Sequence, residues 1–107
     1  MADIFITGAN GHLGRRLIDA LPDDIRIAAL VRSERARRIL LNHVGEKPQL
    51  NVTIADPCDP AAIAKVAGDC EQAVHLIGTI KETRSSRYVD AHEYPARALA
   101  DAVRQCA

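Results

Sequence analysis

Gly8, Gly11 and Gly14 recur at intervals of three, directly after the apolar run Ile4-Phe5-Ile6 and Thr7. The run is short, β-branched and aromatic, which reads as a buried strand. Beyond the glycines, Leu13, Leu17, Ile18 and Leu21 recur at helical spacing, and Pro22 closes the pattern. A strand, a glycine turn and a helix in immediate succession leave few ways to fold. Gly8 permits a tight turn off the strand, Gly11 leaves the backbone bare at the helix start, and Gly14 lets the helix lie close on the sheet.

The rest of the chain repeats the same alternation. Residues 25–31, 50–55 and 72–78 are further apolar runs with strand character. Ser33 is a fitting N-cap for a helix carrying Ala36, Ile39 and Leu40 that ends near Gly45. Asp56-Pro57-Cys58-Asp59-Pro60 is turn chemistry, with Asp59 as cap and Pro60 at the first helical position of a short helix over 61–67. A polar loop over 79–87 precedes a last helix expected over about 89–106, with Ala91, Ala98, Leu99, Ala102 and Val103 on one face. Pro95 marks either the start of that helix or a kink in it. The order β-α-β-α-β-α-β-α implies a parallel sheet with right-handed crossovers and strand order 3-2-1-4. The expected class is therefore α/β: the N-terminal part of a Rossmann-type doubly wound sheet, about four strands in a single domain over residues 1–107.

Composition agrees and removes alternatives. Apolar residues make up 48% of the chain but aromatic ones only 3%, so the core must be built from Ile, Leu, Val and Ala, as in helices packed on a buried parallel sheet. Lysine plus arginine equal aspartate plus glutamate at 14 each, which argues against nucleic-acid binding through a basic face. Cys58, Cys70 and Cys106 are odd in number and widely spaced, which fits neither a disulfide framework nor a metal site. Cys58, in the loop after the third strand, reads as a passive small residue in preference to a reactive thiol. No apolar run reaches the ~20 residues of a membrane span, and the first residues lack the pattern of a signal peptide. A cytoplasmic protein with reduced thiols is the expectation.

The glycine turn carries the functional signal. The amides of the first helical turn, together with the helix dipole, suit a pyrophosphate lying over Gly11. The candidate residues are Gly8, Ala9, Asn10, Gly11, His12, Leu13 and Gly14. A purely structural turn is the bland alternative, and the placement between a first strand and an amphipathic helix weighs against it. The spacing G-x-x-G-x-x-G is one residue longer in its first half than G-x-G-x-x-G. With Thr7 before it, the segment resembles the short-chain dehydrogenase/reductase superfamily in its extended and atypical branches, which include NAD-dependent epimerases and dehydratases. The end of the second strand should read the adenosine ribose, where an acid would bond the 2′-hydroxyl of NAD. Arg32 stands there, with Arg35 or Arg37 as a second candidate, and an arginine can pair with a 2′-phosphate, so NADP is favoured over NAD. Solvated surface arginines are the competing reading.

The resemblance implies more. It places Asp56, followed by Pro57, against the adenine amino group; starting an Asx turn is an equally good role for Asp56. It places Leu76, Ile77 and Gly78 beside the nicotinamide ribose, with His75 packed beneath the cofactor rather than acting as a base. Residues 73 to 99 further resemble the atypical subgroup that includes the NADPH-binding accessory subunit of respiratory complex I. The superfamily's reductases use Tyr-x-x-x-Lys, but here His92 follows Tyr88 by four positions and Ala98 follows Tyr94 by four. No catalytic residue is assigned, and the chain is expected to stop short of the catalytic and substrate-binding region. Three functions remain: the cofactor-binding part of an NADP(H)-dependent oxidoreductase or epimerase, a non-catalytic dinucleotide-binding regulator or respiratory-complex assembly or accessory protein, and a flavodoxin-type mononucleotide domain. The last is weakest, because its phosphate loop would be rich in serine and threonine. The fourth strand would form an open sheet edge, suited to self-association or a partner chain.

Overall fold

A computed structural model describes residues 3–45, 47–68, 70–77 and 94–106. Strands and helices alternate in it as β1 (Ile4–Thr7), α1 (His12–Ala20), β2 (Ile27–Val31), α2 (Glu34–Val44), β3 (Leu50–Ile54), α3 (Pro60–Ala67), β4 (Gln72–His75) and α4 (Tyr94–Cys106). The strands form one parallel sheet in the order β3-β2-β1-β4, as expected.

Pleating divides the side chains between two layers. Ile4, Ile6, Ile27, Ala29 and Val31 pack on one face with Ile18 of α1 and with Ala36 and Leu40 of α2. Phe5, Ala28 and Leu30 point the other way, onto Ile63 of α3 and Ala98 and Ala102 of α4. Every residue of β1 and β2 is buried, so these two strands read as continuous apolar runs, while β3 and β4 at the edges do not. Caps set where the helices begin. Ser33 Oγ accepts from the Ala36 amide at 3.1 Å, and Asp59 Oδ1 accepts from the Ala61 amide at 3.0 Å with Pro60 opening α3.

Several boundaries differ from the sequence reading, each for a local reason. Strand β2 starts at Ile27 rather than 25, because the Ile25 amide is taken by Pro22 O at 3.1 Å in a turn. Strand β4 ends at His75 rather than 78, because its partner Thr7 is the last residue of β1 before the chain turns at Gly8. Gly78, the loop over 79–87 and the expected helix start at 89, with Ala91, lie outside the described residues. The described part of α4 runs over Tyr94–Cys106 and includes Pro95; whether Pro95 opens the helix or kinks it turns on residues outside the described ones. Two residues read as part of apolar stripes are exposed instead. Leu13 is 63% exposed because the backbone of Gly8 and Ala9, not the sheet, lies beneath the first turn of α1. Ile39 is 38% exposed because the line from Ala36 to Leu40 takes the buried side of α2.

Candidate functional site

In a parallel sheet all strands end on one side, and the segments leaving those ends share an edge. Here that edge carries, in spatial order, Asp56 and Pro57 after β3, Arg32 after β2, Gly8 after β1, and Leu76 and Ile77 after β4. The Ala55 amide donates to Val31 O at 2.9 Å, which holds the exit of β3 beside the exit of β2.

The centre of the edge is the turn from β1 into α1. Gly8 adopts φ 66°, a left-handed conformation that side chains other than glycine's rarely take. Its free side faces β4: an added Cβ would lie 2.8 Å from Leu76 C and O and 3.0 Å from Ile77 N. Gly14 serves a different contact, since a Cβ there would lie 2.7 Å from Ala9 O and 2.8 Å from Gly8 O. Helix α1 therefore sits directly on the loop backbone. Gly11 meets only Gly8 O, at 3.3 Å, so its outer side is open.

Gly11 is also the N-cap of α1, with no side-chain bond to the helix and no acidic residue in the first turn. By contrast, Ser33 and Asp59 close the N-termini of α2 and α3 with their own oxygens. Among the described residues the amides of His12, Leu13 and Gly14 find no acceptor, while Arg15 N bonds Gly11 O at 3.0 Å. The first turn of α1 thus presents bare donors and the positive end of its dipole above Gly11, an arrangement suited to an anion.

The arginines after β2 separate into two pairs. Arg37 and Arg38 lie 3.4 and 3.8 Å from the Glu34 carboxylate. Arg32 and Arg35 are exposed and unpaired among the described residues. Arg37, one of the possible helpers of Arg32, is therefore already engaged. Asp56 does form an Asx turn: its Oδ1 accepts from the Cys58 amide at 2.9 Å. It is exposed at the same edge. Sequence reasoning sets His75 beneath the cofactor and reads Thr7 only as part of the motif, and it does not join the two. The Thr7 hydroxyl lies 2.8 Å from His75 Nδ1 and accepts from the Leu76 amide at 3.3 Å. Their sequence signal was faint: a hydroxyl closing an apolar strand, and a histidine at the end of another.

A separate concavity of about 360 Å³ opens between α3, α4 and the start of β4, lined by Phe5, Ile63, Cys70, Gln72 and Leu99. It shares no residue with the edge just described. Among the described residues, no helix is long and apolar enough to cross a membrane.

Comparison with known proteins defines the class. Residues 8–106 match the family described as NAD(P)H-binding, so the chain belongs to that family. Its fold is that of the short-chain dehydrogenase/reductase and epimerase class. It is 32% identical over 102 residues to ceramide reductase of Caulobacter vibrioides, covering 94% of this chain and 31% of that protein. Yeast methylglyoxal/isovaleraldehyde reductase Gre2, complexed with NADPH, superposes with a TM-score of 0.80 at 20% identity, covering 100% of this chain and 34% of that one. A variant of uronate dehydrogenase from Agrobacterium tumefaciens, complexed with NAD, gives 0.67 at 22% identity, covering 98% and 37%. The chain thus spans about a third of each of these relatives. The narrower likeness to the complex I subunit rests on residues 73 to 99, of which 78–93 lie outside the described residues.

The geometry separates two of the glycines. Gly14→Ala should destabilise the fold by about 1–3 kcal/mol, because its methyl meets backbone that cannot move aside. Gly11→Ala should cost less than about 1 kcal/mol. Urea unfolding of both variants checks the order; an equal loss would contradict the packing of α1 on its loop.

Proposed function

We propose that the C-terminal edge of the sheet binds a nicotinamide dinucleotide with its pyrophosphate over Gly11, and that NADP(H) is preferred. The observation that carries this is the uncapped first turn of α1, whose bare amides stand above a turn with no side chain in the way. Ala9, Asn10, His12 and Leu13 complete that turn. Arg32, with Arg35 beside it, offers unpaired guanidinium groups where a 2′-phosphate would lie. Asp56 and Pro57 border the adenine end, and Leu76 and Ile77, leading to Gly78, border the nicotinamide end.

In this reading the chain is the cofactor-binding part of an extended or atypical short-chain dehydrogenase/reductase in the cytoplasm. The substrate region is supplied by sequence beyond these residues, as the greater length of ceramide reductase suggests. Its chemistry would be hydride transfer to or from a carbonyl or alcohol, the reductase and dehydrogenase activity that the names of its relatives carry.

Titration with NADPH and with NADH, followed by nicotinamide fluorescence, tests the preference. NADPH should bind more tightly, and Arg32→Asp should weaken NADPH by about tenfold or more while changing NADH little, since one charge-assisted bond is exchanged for repulsion. Equal affinity for both cofactors in the unmodified chain would remove Arg32 as a selector.

Strand β4 pairs only with β1 among the described strands, and Gln72 and Ala73 are exposed. We take this edge as a surface for self-association or for further chain. Sedimentation of the 107 residues should show a concentration-dependent increase in mass. A strictly monomeric species over a hundredfold dilution series would count against it.

A further inference from the structure

Among the described residues Thr7 is the one buried polar side chain, 1% exposed, and it is the last residue of β1 before the glycine turn. It stands opposite His75, the last residue of β4, in the parallel register. Its hydroxyl accepts from the Leu76 amide at 3.3 Å, and the same amide lies 3.2 Å from the Thr7 carbonyl. The second partner of this buried hydroxyl is His75 Nδ1 at 2.8 Å, a ring nitrogen that shares one proton with it in either tautomer. Just beyond this link, the Leu76–Ile77 backbone passes so close to Gly8 that no Cβ would fit between them.

We propose that Thr7 and His75 are a positioning pair for the dinucleotide site. By fixing the direction of the Thr7 hydroxyl, the imidazole keeps its oxygen turned toward the Leu76 amide. This holds the exit of β4 at a set height against Gly8, where the nicotinamide end of the cofactor rests. The pair touches no cofactor atom; it acts through the Leu76–Ile77 backbone. The inference rests on the dinucleotide reading of the same edge.

The test compares two replacements of His75 of similar polarity. His75→Asn puts an amide group near the place of Nδ1, whereas His75→Gln puts one near the place of Nε2. With NADPH as the probe, His75→Asn should bind within about twofold of the unmodified chain and His75→Gln about tenfold more weakly, the size expected for a buried hydroxyl that loses its hydrogen-bond partner. Amide hydrogen exchange at Leu76 should quicken in His75→Gln and not in His75→Asn. Thr7→Val should weaken NADPH similarly, and the Thr7→Val, His75→Gln double variant should be no weaker than either single one. Equal binding by His75→Asn and His75→Gln, or additive losses in the double variant, would overturn the positioning role while leaving the dinucleotide reading intact. Failure of the unmodified chain to take up NADPH would overturn both.

Discussion

The contact between the first turn of α1 and the loop that precedes it constrains everything else in this molecule. A Cβ at Gly14 would lie 2.7 Å from Ala9 O, so the helix rests on backbone rather than on side chains. That closeness aims the helix N-terminus at the sheet edge instead of away from it. It also explains why the loop has no side-chain cap: an oxygen from Ser or Asp in place of Gly11 would satisfy the amides that are left open. The turn gives up the local stability that Ser33 and Asp59 provide elsewhere, and gains a place for a negatively charged group.

The sheet turns this local feature into a site. Parallel pairing brings four chain exits to one side, and the order β3-β2-β1-β4 puts β1 between its neighbours with the glycine turn at the centre. Two apolar layers fix the strands from both faces, so the exits are held by a rigid support. On one flank are the acid and arginines that follow β3 and β2. On the other is the backbone that follows β4, drawn against Gly8. An elongated ligand with a charged middle and two different ends suits such an edge.

Much of this was legible in the sequence because it is written in local signals. Ser33 and Asp59 announce their helices, Pro60 sits where a helix begins, and the strict alternation of runs dictates the strand order. Two of the misreadings share one cause: periodicity shows which residues lie on one face but not how far the opposing surface extends. Leu13 has the spacing of a core residue, but the sheet has ended beneath it. Residues 76 and 77 have the composition of a strand, but β1 has already turned away. The Thr7–His75 link joins residues 68 apart and exists only through the β1–β4 register, so nothing in either neighbourhood reveals it.

The central claim is that bare amides at the start of α1 receive the dinucleotide, and mapping backbone amide shifts during nucleotide addition tests it most directly. The account predicts that NADPH and NADH both move the amides of Gly11, His12, Leu13 and Gly14, and that those of Leu76 and Ile77 follow. Shifts confined to residues around the concavity between α3 and α4, such as Ile63, Cys70 and Leu99, would contradict it.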